Sequence, residues 1–376
     1  MNEFKRHQQT SINVQKQANL IWNVADILRG LYKPHEYGKV ILPMTVIKRL
    51  HDTLLKTRDE VLKTSENTKS INDVMRERLL KNASGYSFYN TSLYTFETLL
   101  ADPANIESNF RAYLNGFSEN MQDILDNFKF DVEITTMADN DALFYVIQEF
   151  NKADAYLGPD KMTSTDMGYV FEELVRKFSE SYNEEAGAHF TSRDIIYLMT
   201  DLLLIEDKNT LFKEHVFKTV YDQTMGTSQM LSAMTERIHD MNDTAEVATF
   251  GQELNPETYA IAKADTMIRG GEPENMALGS TLTNDHFEGF KFDYCISNPP
   301  FGVDWKKDQK AVKSEHELGE LGRFGVGLPR ISDGQLLFQL NGLSKLKETG
   351  RMTIIHNGSA LFSGNPGGGE SLIRQY

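Results

Sequence analysis

Phe292-Asp293-Tyr294-Cys295-Ile296-Ser297 runs directly into Asn298-Pro299-Pro300-Phe301. A short apolar run closed by turn formers reads as a buried strand. Similar runs lie at about 216–222, 246–252, 276–282 and 351–356, and helical patterns at 257–269 and 333–347 fall between them. Asn255 before Pro256 is a good helix start, and Ser332 with Gln335 has capping-box spacing. Strand and helix in alternation predict a doubly wound, parallel α/β sheet. Ligands bind such sheets beyond the carboxyl ends of the strands, where Asp222, Glu253 and Asn298 fall.

Upstream of the Gly158-Pro159-Asp160 turn the pattern is helical, which divides the chain into a helical domain, 1–159, and an α/β domain, 160–376, opening with a helix from about Ser164 to Tyr182. Val14, Ala18, Ile21, Trp22, Ala25 and Leu28 share one helical face, with Gly30 as a stop. A second helix follows Pro43. Met44, Val46, Ile47, Leu50, Leu54 and Leu55 form its apolar face, and Lys48, Arg49 and Lys56 read as a solvated face rather than as phosphate contacts. Residues 52–88 are charged and helical in pattern, and further helices are expected near 92–101, 105–127 and 139–156.

The 376 residues, 40% of them apolar, suffice for two domains with real cores. A single cysteine excludes a disulfide framework and a Cys-based zinc site, and the histidines show no metal-ligand spacing. No apolar leader opens the chain and no run approaches 18 apolar residues, so a cytoplasmic protein is expected. The net charge of −15 argues against a simple DNA-binding protein, because duplex affinity comes mostly from Lys and Arg. Either the basic surface is local or a partner supplies it.

The chemistry of Asn298-Pro299-Pro300-Phe301 suits an exocyclic amine on a nucleobase. Such an amine is a poor nucleophile because its lone pair is delocalised into the ring. Acceptors aimed at its two protons make the nitrogen more tetrahedral, and the Asn298 side-chain carbonyl and the Pro299 backbone carbonyl are of the right type. Two prolines fix φ and hold that carbonyl in place, and Phe301 offers a ring for a flipped base to stack on. A bare Pro-Pro-Phe is an ordinary strand end; Asn directly before it, after an apolar strand, turns the reading.

With these motifs the chain resembles the modification (M) subunits of type I restriction-modification systems, which are adenine-N6 DNA methyltransferases. Residues 250–259, 292–305, Gly322-Arg323-Phe324-Gly325-Val326-Gly327-Leu328-Pro329, and His356-Asn357-Gly358-Ser359-Ala360-Leu361-Phe362 running into Gly367-Gly368-Gly369-Glu370-Ser371 carry the resemblance. It implies a Rossmann-like methyltransferase domain after a helical one and S-adenosylmethionine as donor. It also implies double-stranded DNA as substrate, a specificity (S) subunit that reads sequence, a second M subunit and often a restriction (R) subunit. Glu253 is the expected acceptor for the ribose hydroxyls; Asp222, Met225, Gly226, Thr227 and Ser228 line the expected cofactor loop; Thr191 and Ser192, after Phe190, form the upstream contact, and Ser280 stands where the cofactor's adenine is met.

The chain departs from the common family loop, Asp-Pro-x-x-Gly-Thr-Gly-Gly. Gln223 replaces the proline, and Ser228 and Gln229 replace the last two glycines; Ser280 stands for a frequent Asp or Asn, and Ser192 for a frequent proline. Cys295, inside a strand, reads as a small hydrophobe rather than a nucleophile. Gly364 to Gly369 lacks the Lys-Ser/Thr of a phosphate-binding loop and reads as a loop near the site. A catalytically weak scaffold subunit and a protein-glutamine N5 methyltransferase remain alternatives. Five strands are countable where the family's sheet resembles seven, so a subunit truncated at its C-terminus, with an edge that promotes association, is expected.

Overall fold

The computed structural model describes residues 14–180 and 191–376. Five parallel strands, β1 (Phe217–Asp222), β2 (Glu246–Glu253), β3 (Met276–Leu278), β4 (Phe292–Ser297) and β5 (Leu346–Ile354), form one sheet in the order β3-β2-β1-β4-β5. The chain winds outward from β1 in both directions, so the switch point lies between β1 and β4. Their register, Val220 beside Tyr294 and Tyr221 beside Cys295, brings the ends at Asp222 and Asn298 together at that point.

The carboxyl-terminal half of β1 and nearly all of β4 are buried, and aromatic rings pack around them. Tyr221 stacks on Phe292 at 4.7 Å, with Phe250 and Phe287 closing the cluster, and Cys295 is buried among them as the small hydrophobe expected. A separate core gathers Trp305, Val312, Phe324, Leu336, Leu337 and Ile373. The expected strands recur with shifted bounds. β3 is only three residues long, and β5 starts five residues before the 351–356 run because its first half, through Lys347, Glu348 and Gly350, is too polar to read as a strand. The helix Gln335–Ser344 is entered through Asp333, not Ser332: Asp333 accepts from the Gln335 backbone N–H (3.3 Å) and side-chain amide (2.7 Å).

The compact units do not follow a single cut after residue 159. Among the described residues, 191–255 with 274–376 form one unit, and 14–180 with 256–273 form the other. The reason is apolar surface: Met167, Val170, Phe171 and Leu174 of the helix Ser164–Glu180, and Ala260, Ile261, Ala264 and Met267 of the helix Pro256–Ile268, are buried in the helical core.

Within that helical unit the first helical stretch breaks at Asn23 into Val14–Trp22 and Val24–Leu28, and the 105–127 stretch into Ile106–Leu114 and Glu119–Asp126. The second helix begins at Gly38 and runs through Pro43 to Leu54. Lys48 and Arg49 are not solvated. Lys48 pairs with Asp52 at 2.9 Å, with side chains 7% and 0% exposed, and Arg49 donates to the carbonyls of Leu157 and Met162. Asp52 also accepts from the Leu157 N–H (2.7 Å), so these polar groups tie the helix to the 157–162 turn. Lys56 alone of the three is exposed, beside Asp160.

Candidate functional site

The end of β1 turns at Asp222, whose carboxylate accepts the Thr224 N–H (3.0 Å). Met225 N–H bonds the Gln252 carbonyl (3.0 Å), which draws the loop over the end of β2. The close approach suits Gly251, since a Cβ there would displace the Met225 sulfur. Gly226, at φ +55°, donates its N–H to Glu253 Oε2 (3.0 Å), and the Asn255 N–H reaches Oε1 (2.8 Å). These bonds fix the carboxylate's orientation. Thr224 Oγ1 and Thr227 Oγ1 are buried without a hydrogen-bond partner.

The loop substitutions have structural counterparts. Ser228 sits at φ +69°, the left-handed region that favours glycine, and its N–H bonds the Met225 carbonyl (2.8 Å) to lead into the helix Gln229–Met241. Gln223 is integrated rather than merely tolerated. Its amide donates to Ser297 Oγ (3.0 Å) and accepts from Asn341 Nδ2 (2.7 Å), while its carbonyl takes the Thr281 hydroxyl (2.5 Å). A proline there would have none of these side-chain bonds.

Asn341 in turn accepts from Arg323 (2.9 Å), the arginine of the Gly-Arg-Phe-Gly segment. Arg323 forks onto Glu315 (2.7 and 2.6 Å) and caps the Thr281 and Leu282 carbonyls. One buried polar relay therefore runs from Glu315 to Ser297, the residue before Asn298.

Asn298 Nδ2 donates to Thr191 Oγ1 (2.8 Å), which leaves Oδ1 buried and without a partner. The structure thus joins the expected upstream contact to the expected base pocket. Pro299 is buried, Pro300 and Phe301 are half-buried, and Gly302 N–H is fixed on Asp333 Oδ1 (3.2 Å). Ser192 precedes the helix Arg193–Leu204 without capping it through its side chain. Phe190 lies outside the described residues. Ser280, two residues past β3, lies 3.4 Å from Asp308, so a carboxylate stands near the position where the sequence offers only a hydroxyl. Asp308 and Asp333 carried no motif that would have marked them.

Burial pushes Asp222 up to about 8; the Thr224 N–H opposes the shift and the charge of Glu253 adds to it. The native protein then holds a proton at neutral pH that the unfolded chain, near 3.8, releases. Its contribution to stability is complete below about pH 4 and is lost as pH rises toward 8, at about 1.4 kcal/mol per pH unit. Asp222→Asn should therefore raise the melting temperature by a margin that widens from pH 5 to pH 8. Parallel melting curves for the two proteins across that range would refute a protonated Asp222. Among the described residues no group of His, Cys, Asp and Glu is placed to hold a metal ion, and no helix is long and apolar enough to cross a membrane.

Comparison with known proteins gives this geometry a setting. Residues 163–376 match the family model N-6 DNA Methylase, and residues 17–150 match the HsdM N-terminal domain. The type I restriction enzyme MjaIX methylase subunit of Methanocaldococcus jannaschii is 22% identical over 359 residues, 92% of this chain and 62% of that protein. The EcoKI methylase subunit of Escherichia coli is 24% identical over 255 residues, 62% of this chain and 43% of that protein. The chain thus spans less than two thirds of either relative. A type I restriction-modification system methyltransferase subunit from Streptococcus thermophilus shares the fold, with TM-score 0.68 and 23% identity over 96% of this chain and 78% of that one.

Proposed function

The chain belongs to the N-6 DNA methylase family, and from that premise we propose that it is the adenine-N6 DNA methyltransferase subunit of a type I restriction-modification system. In this reading it methylates a flipped adenine with S-adenosylmethionine and relies on a specificity subunit for sequence, in a complex with a second M subunit and often a restriction subunit. The observation that carries the proposal is the Asn298 side chain at the switch point, its Nδ2 held by Thr191 and its Oδ1 buried with no partner.

The residues present fit the donor. Glu253, oriented by two backbone N–H groups, would take the ribose hydroxyls, and the orphaned Thr224 and Thr227 hydroxyls lie in the loop that would hold the methionine part. When bound, S-adenosylmethionine supplies an electrophilic methyl group on a sulfonium. Asn298 Oδ1 and the Pro299 carbonyl would accept the two protons of the adenine amine, directing its lone pair along the line of attack. Phe301 would stack on the extruded base. The relay through Gln223 and Ser297 would keep the donor and acceptor loops in register.

The intact Gly226–Glu253 bond and the integration of Gln223 favour a working enzyme over a scaffold. Co-expression with the products of the neighbouring genes, followed by assay of the DNA for N6-methyladenine, tests the proposal; unmethylated DNA from an assembled complex would sink it. Phe301→Ala should weaken productive capture of the base by about 1–3 kcal/mol, and Trp should be tolerated better. Equal behaviour of the Ala and Trp variants in kcat/KM would reduce Phe301 to packing.

A further inference from the structure

We infer that His356 reads the extruded base, donating a hydrogen bond from its imidazole to a ring nitrogen of the adenine held at Asn298. The inference rests on the function proposed above and assigns a role to a residue so far known only as part of a motif. β5 runs beside β4 with Ile354 opposite Ser297, and the Ile355 N–H bonds the Ser297 carbonyl at 3.1 Å. His356 therefore leaves the sheet next to Asn298-Pro299. In the segments that flank it, Asp333 holds the Gly302 N–H, and Gln335 holds the Asn357 N–H (2.9 Å) and bonds Ser359 Oγ (3.0 Å). The histidine thus lies between the Asn298–Gly302 turn and the Asn357 turn, each fixed by a bond from the Asp333–Gln335 segment.

Both ring nitrogens of His356 are buried without a hydrogen-bond partner. Orphaned buried polar atoms are costly and uncommon, and one explanation for those that persist is a partner that arrives with a ligand. Burial also holds the imidazole pKa below its usual range, against the pull of Asp333, so the ring is neutral and has one N–H to give whichever nitrogen carries it. Once the amine protons are committed to Asn298 and Pro299, the polar atoms left on adenine are ring nitrogens, which only accept. A donor is the complementary group. The Asn298 carbonyl alone selects an amine; the histidine adds a second point of recognition on the ring.

The test uses the assembled complex and duplexes in which the target adenine is replaced by 1-deazaadenine, 3-deazaadenine or 7-deazaadenine. His356→Phe keeps an aromatic ring and removes the donor. It should lower kcat/KM on adenine DNA on the order of tenfold to a hundredfold, whereas His356→Gln, which retains an N–H, should recover part of the loss. The parent should lose a similar factor on one of the three deaza bases, and His356→Phe should be indifferent to that same replacement; a parent indifferent to all three would overturn the inference. A Phe variant with unchanged kcat/KM would overturn the inference, as would one that is slower yet still discriminates against the deaza base as the parent does. Methylation of adenine by the parent with either of those results would leave the methyltransferase reading standing. No methylation by the parent would remove both.

Discussion

Asn298→Ala should eliminate measurable methyl transfer while leaving donor affinity within severalfold of the parent. The substitution removes the orphaned Oδ1 acceptor and the Nδ2 that bonds Thr191. Loss of one positioned group that stabilises developing charge costs about 3 kcal/mol or more in the transition state, a rate decrease beyond a hundredfold. Donor affinity survives because the bonds that shape the donor loop, from Gly226 to Glu253 and from Met225 to Gln252, do not involve Asn298. Single-turnover rates and calorimetry separate the two quantities. A parent-like rate would dismiss the base-pocket assignment; a normal rate constant with weakened donor binding would move Asn298 to the donor side through Thr191.

Arg323→Ala should be the most destabilising change in the sheet unit, by about 3–5 kcal/mol, the range for breaking a buried ion pair. The arginine and Glu315 side chains are 12% and 22% exposed, and removal of the guanidinium also strips donors from the Thr281 and Leu282 carbonyls and from Asn341. Lys would rescue little, since a single ammonium cannot reproduce the fork. Because Asn341 is the anchor of Gln223, methylation should fall even at temperatures where the variant remains folded. Denaturant titration decides the first claim: a loss below 1 kcal/mol would mean that the clamp is redundant.

What the sequence revealed and what it hid have distinct physical origins. Strand β4 was legible because all but one of its residues are buried and most are apolar, and β1 and β2 because each carries a buried stretch toward its carboxyl end. The first half of β5 was not, since its burial is partial and its residues are polar. The helix through Pro43 was cut short in the reading because local propensity forbids what burial along almost the whole segment enforces. Lys48 and Arg49 were misread for a different reason: the carbonyls that take Arg49 lie 108 and 113 residues away, and Asp52, the partner of Lys48, is itself held by the Leu157 N–H 105 residues away.

The site shows the same division. The positions of Asp222, Glu253 and Asn298 at strand ends followed from the alternation of elements, and the structure puts all three there. Gln223, by contrast, read as a departure from a pattern. Its role depends on Ser297 and Asn341, 74 and 118 residues distant. His356 was quoted within a motif without a role, because an unpartnered nitrogen is a property of the fold and leaves no trace in the sequence.

The helix Pro256–Ile268 has a consequence for how the chain comes to be folded. Its apolar residues complete a core that begins at Ile21, yet β1 and β2 are synthesised between them. During translation the apolar residues from Ile21 to Leu174 that pack on that helix stay uncovered until it emerges. Contacts so far apart along the chain slow folding, and surface exposed meanwhile invites aggregation. Recovery of soluble protein should therefore respond to chaperones and to the pace of the ribosome more than the stability of the finished structure would imply.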